Sequence, residues 1–145
     1  MQITTPFAKM EFQPKDPDKT AAWEMYIELL TRITTQSLNQ DGGDEATALT
    51  SVYSLFRTTR EIIRRNGRGC QEFTKIAIVV LNQIVRPFTA QWHKKFIEGV
   101  FADPDQCRAF RAELDRLQAK LRTYTRMLAD MAGVEDLTSL EPNKA

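Results

Sequence analysis

Apolar positions recur along most of this chain in steps of three and four residues, the spacing that places side chains on one face of an α-helix. Trp23, Tyr26, Ile27, Leu30, Ile33 and Ser37 mark one such face. Ala48, Val52, Leu55, Phe56, Thr59, Ile62 and Ile63 mark a second, and Phe73, Ala77, Val80, Ile84, Phe88, Trp92 and Phe96 a third. In the fourth, Phe110, Leu114, Leu117, Leu121, Tyr124, Leu128 and Met131 alternate steps of four and three without a break, a heptad seam suited to close helix packing. The third helix begins near Gln71, and its segment Ile76 to Leu81 is apolar on every side. That β-branched run also suits a buried strand, but the helical period continues beyond it and no partner strand is evident.

Start and stop signals divide these patterns. Asp16-Pro17-Asp18 reads as an N-cap, a proline at the first helical position and an acid facing the helix dipole, and Asp103-Pro104-Asp105 repeats the signal before the fourth pattern. Asp41-Gly42-Gly43, Asn66-Gly67-Arg68-Gly69 and Gly133 are stops, and Asp44 can cap the second helix. Pro87 interrupts the third pattern: it lacks a backbone donor, clashes with the carbonyl four residues back and disfavours helical geometry at Arg86. The expected fold is therefore all-α, an up-down-up-down four-helix bundle with a kinked third helix. Residues 1–145 form one domain, in which 1–15 are an extended arm and 134–145 an acidic tail, either a docking strap or disordered.

Composition narrows the class without naming a function. With 42% hydrophobic and 27% charged residues the chain is ordinary globular material, able to build one core without metal or disulfide staples. Its most apolar uncharged run, Ile76 to Val85, is about half a membrane span, and no secretory leader is evident at the start, so a cytoplasmic protein that avoids the membrane is expected. Cys70 and Cys107 have no metal or disulfide-framework spacing and are expected to be free thiols. No metal site, cofactor motif, phosphate-binding glycine loop or nucleophile elbow is present.

Charge changes the picture more. The net value of +1 conceals a basic middle: residues 57–126 carry 15 Lys and Arg against 7 Asp and Glu, whereas residues 1–56 carry 4 against 8 and residues 127–145 carry 1 against 4. Arg57, Arg60, Arg64 and Arg68 recur at helical spacing opposite the apolar face of the second helix, where they can track a phosphate backbone or form a solvated face with cations at the C-terminal end. Ile78, Val79 and Leu81 fall away from the main stripe of the third helix, while Ile97, Val100 and Phe101 extend its end; Ile78 and Val79, with Trp92 and Phe96 of the stripe, are a candidate surface for a protein partner or a second copy of the chain.

The octapeptide Arg86 to His93 concentrates the remaining chemistry, combining the kinking proline, an arginine, Trp92 and the only histidine. Arg86 can donate to carbonyls freed by Pro87 or hold an anion, and His93 can cap, pack beside Trp92 or move a proton. An arginine followed by a histidine after a four-to-six-residue gap, on a small four-helix bundle, resembles the HEPN superfamily of helical ribonucleases and toxins. That resemblance implies metal-independent RNA cleavage, with His93 assisting proton transfer and Arg86 stabilising phosphate charge, usually across a dimer. Pro87 stands where that family favours a polar residue, and the pair falls late in the third helix rather than early in the last. The reading the residues favour is a noncatalytic accessory or adaptor module that binds another protein, with a HEPN-like endoribonuclease and a nucleic-acid-binding bundle as alternatives.

Overall fold

The computed structural model describes residues 2–4, 9–32 and 45–138. Two three-residue strands, β1 (Gln2–Thr4) and β2 (Lys9–Glu11), pair antiparallel with Ile3 opposite Met10. The remaining regular structure is helical: α1 (Asp16–Leu30), α2 (Glu45–Asn66), α3 (Gln71–Val80), α4 (Arg86–Ile97) and α5 (Pro104–Ala132), with 3₁₀ turns at Gly67–Cys70 and Val100–Ala102. The all-α expectation holds. The first helix ends sooner than expected, at Leu30 with Thr31 as its C-terminal cap; Ile33, Ser37, the Asp41-Gly42-Gly43 stop and the Asp44 cap lie outside the described residues.

Helix entry follows the acid-proline signals, with one difference. Asp103 caps α5 by accepting from the Asp105 N–H at 2.9 Å. In α1, however, Asp16 is already helical, and Asp18 reaches back to accept the Lys15 N–H at 2.9 Å. The other oxygen of Asp18 accepts the Phe73 N–H at 3.0 Å. Phe73 lies in the first turn of α3, where a capping side chain normally satisfies such a donor. Cys70, at the cap position, instead directs its thiol to the Gly67 carbonyl at 3.2 Å. One fully buried carboxylate thus serves the N-termini of two helices. Glu72 supports the same junction by accepting the Gln13 N–H at 2.9 Å. The helix ends sit so close that a Cβ on Gly69 would lie 2.9 Å from Cγ of Pro17.

That junction sets the rotation of α1. With Asp18 turned toward α3, the inward positions become Ala21, Ala22, Met25, Tyr26 and Leu29, one residue earlier than the Trp23, Tyr26, Ile27, Leu30 face expected from size alone. Two alanines allow close approach to the neighbouring helices, and Trp23 is left at the rim, stacked on Tyr26 at 5.9 Å. By contrast, α2 and α5 bury the expected faces, except that Ile63 is only partly covered.

Residues 71–97 remain helical through Pro87. A π-helical turn, Leu81–Val85, occupies the place where a kink or break was expected, and the Arg86 N–H bonds to the Leu81 carbonyl. The wide turn adds a residue to the helical repeat, so Val85 rather than Ile84 is buried. The Arg86 side chain does not cap a freed carbonyl; it binds the Asn82 side-chain oxygen.

Pairs between neighbouring helices give helix directions. Glu24 meets Arg65 while Arg32 meets Ser54 and Thr58, so α1 and α2 are antiparallel. Tyr53 meets His93 and Phe56 meets Arg86, so α2 and α4 are antiparallel too. Phe12 enters the core just after β2. At the other end, Tyr26 accepts the Leu137 N–H at 2.6 Å and holds the start of the tail against α1.

Replacing Asp18 with Ala leaves the buried Phe73 N–H without an acceptor and removes the cap of the part-buried Lys15 N–H, and should cost about 2–4 kcal/mol in urea unfolding; a loss below about 1 kcal/mol would show that the junction does not depend on the carboxylate. Tyr124 presents the opposite case, a buried hydroxyl with no hydrogen-bond partner and an upward-shifted pKa caused by burial. Tyr124→Phe should therefore raise stability by about 1 kcal/mol, and an unchanged or lower melting temperature would argue against an unpaired hydroxyl.

Candidate interaction surface

The outward ridge of the 71–97 segment carries most of the side chains singled out by sequence. From Arg86, one helical repeat of seven residues leads to His93 on the same side of α4, and four more lead to Ile97. The ridge lies beside α2. Arg86 places its guanidinium 4.8 Å from the Phe56 ring centre while bonding to Asn82 at 3.2 and 3.3 Å. His93 packs 5.4 Å from Tyr53, and Tyr53 lies 5.9 Å from Phe56. Arg86 and His93 therefore border one exposed seam, with two aromatic rings of α2 between them.

The expected apolar surface divides. Ile78 and Phe96 are exposed, Val79 is half-buried, and Ile97 is the most open large apolar side chain described, at 72%. Trp92 belongs to the core instead, at 1% exposure. Its ring packs edge-on against Phe110 at 5.2 Å, its Nε1–H donates to Glu113, and Lys95 covers it at 4.6 Å. A large ring with one polar atom is accommodated inside because that atom finds a carboxylate. Trp92 is thus unavailable as a docking residue in the folded monomer.

The basic stripe is also shorter than its spacing implied. Arg57, Arg60 and Arg64 are exposed along α2, and Arg57 pairs with Glu61 at 3.3 Å. Arg68 leaves the stripe, because α2 ends at Asn66 and Gly67 turns the chain through a left-handed conformation, φ 73°. Arg68 instead lines a small hollow of about 250 Å³ with Gln13, Lys15, Asp18, Gly69, Gln71 and Glu72. Sequence reading missed Tyr53, which precedes Arg57 and Arg60 by four and seven residues and so shares their side of α2. That spacing was available in the sequence; the approach of His93 and Arg86 was not.

A larger hollow, about 580 Å³, lies where the start of α2 meets the start of α5, lined by Glu45, Phe101, Pro104, Cys107, Arg108 and Arg111 among others. Its chemistry is already committed within the chain. Arg111 pairs with Glu45 at 2.7 Å, and Arg108 pairs with Asp105. The Cys107 thiol donates to the Phe101 carbonyl, and its pKa is raised, first by burial and then by Glu45. Such a thiol is a poor nucleophile. Among the described residues no group of His, Cys, Asp and Glu could hold a metal ion, and no helix is long and apolar enough to cross a membrane.

No protein-family model, curated protein or solved structure matches this chain. In the folded protein, Cys107 should be alkylated by iodoacetamide at pH 8 about tenfold more slowly than in urea, with mass spectrometry resolving it from Cys70. Equal rates would contradict the raised thiol pKa.

Proposed function

We propose that this chain is a noncatalytic, up-down-up-down four-helix interaction module, an accessory subunit that works by docking on another protein. The observation that carries this reading is the end of α4, where the consecutive residues Phe96 and Ile97 are both exposed. Phe96 rests on Phe101 at 5.8 Å, and Phe101 packs on core Phe110 at 4.9 Å. The apolar surface is therefore mounted on core packing rather than on a loose loop, a property suited to a docking point. Antiparallel α1/α2 and α2/α4 pairs support the up-down arrangement. The free thiols of Cys70 and Cys107 support a reducing, cytoplasmic setting.

This reading is preferred to a HEPN-like endoribonuclease because Arg86 and His93 do not converge on either hollow described above. The guanidinium is engaged by Asn82 and Phe56, and the imidazole rests on Tyr53.

Ile97 is exposed enough that Ile97→Glu should change monomer stability by less than about 0.5 kcal/mol. Sedimentation velocity, on the chain alone and coexpressed with the products of neighbouring genes, should show an assembly that Ile97→Glu and Phe96→Glu weaken by about tenfold or more. A monomer that joins none of these proteins, or an assembly indifferent to both substitutions, would overturn the reading.

A further inference from the structure

The seam between α2 and α4 has a composition that the apolar end of α4 does not explain. His93, Tyr53, Phe56 and Arg86 form a continuous row of flat π-systems, with successive separations of 5.4, 5.9 and 4.8 Å. Tyr53 is 50% exposed, and His93 and Arg86 are also exposed, so the row is open to solvent at both ends and at one ring between them. Arg57 and Arg60 follow Tyr53 and Phe56 by one helical turn, and Arg64 follows Arg60 by another.

Charge along the seam is one-sided. Residues 57–64 and 82–93 together contain Arg57, Arg60, Arg64 and Arg86 against one carboxylate, Glu61. Glu61 is taken by Arg57 in a solvent-exposed pair, which a stronger anion can displace at little cost. Arg60 and Arg64 have no ion pair among the described residues.

We propose that this seam binds single-stranded nucleic acid without sequence preference, stacking bases on Tyr53 and His93 and placing phosphates against Arg57, Arg60, Arg64 and Arg86. Exposed aromatic rings interleaved with cations are the two components such binding requires. A duplex keeps its bases stacked within itself and cannot use the rings. An acidic peptide satisfies the cations but leaves Tyr53 and His93 without matching flat partners. A guanidinium lying over Phe56 still presents its outer face, so Arg86 can stack on a base and contact a phosphate. The proposal does not rest on protein docking at Ile97 and Phe96, which lie at the end of the same helix.

Fluorescence anisotropy with labelled twelve-nucleotide oligo-dT and oligo-U, in EDTA, tests it. Both should bind at 50 mM salt and weaken steeply by 200 mM, with a log–log salt slope of about 2–3 for three or four neutralised phosphates. Tyr53→Ala should weaken binding by about tenfold, with Tyr53→Phe close to wild type, and Arg60→Ala should reduce the slope by about 0.7. Circular dichroism verifies folding of each variant. Equal affinities assign recognition to base and phosphate alone, whereas preference for oligo-U adds the ribose hydroxyl. Absence of binding at 50 mM salt, Tyr53→Ala binding as wild type, tighter binding of duplex, or displacement by polyglutamate at equal charge concentration would each overturn the proposal. Cleavage of oligo-U abolished by His93→Ala would replace it with a nuclease, and Ile97→Ser, which removes the apolar side chain without adding charge beside His93, lets failure of docking be read separately.

Discussion

A single buried carboxylate organises this fold. Asp18 accepts backbone donors from the starts of α1 and α3, and both helix N-termini present partial positive charge toward it. Burying an isolated carboxylate is expensive, but charge-assisted bonds to two otherwise unsatisfied donors and the favourable dipoles offset that cost. The consequences extend along α1. With Asp18 inward, Ala21, Ala22, Met25 and Leu29 must follow it inward, and Trp23 must turn to the rim. Phe12, the Gln13 amide and the close approach of Gly69 to Pro17 complete the same junction.

The second constraint is how the chain carries a proline through a long helix. Pro87 cannot supply a donor, and the preceding turn widens to a π-turn closed by the Arg86 N–H. The extra residue changes the inward register before α4 begins. Beyond it, Phe88, Thr89 and Trp92 point inward, while Arg86, His93 and Ile97 form the exposed ridge. Helix continuity thus matters to function in the proposed sense, because it keeps the cations and rings of α4 level with Tyr53 and Phe56 of α2.

Where a helix was governed by its own amphipathic pattern, its structure was legible in advance. The seven buried positions expected on α5 are all buried, and its Asp103 cap and Gly133 stop lie where the residues indicate. On α2 the same holds for Ala48 through Ile62. Legibility failed where a side chain has two roles. Trp92 falls on the apolar stripe by spacing and was also a candidate partner surface; Glu113, twenty-one positions away, satisfies its indole and keeps it in the core. Asp18 was read as a charge facing its own helix dipole, with no local sign that a second helix would share it. Arg68 kept helical spacing on paper after Gly67 had ended the helix.

The amino-acid order by itself determined the all-α class, the Asn66-Gly67 stop of α2, the Asp103 cap and Gly133 stop of α5, the free thiols and the uneven charge, because each depends on backbone propensity, periodicity or composition within a short window. Tertiary structure decided the rotation of α1, the core position of Trp92 and the alignment of Tyr53, Phe56, Arg86 and His93 along one seam. These depend on contacts between residues separated by tens of positions, and helical periodicity specifies which face a residue occupies without specifying which face of another helix will meet it.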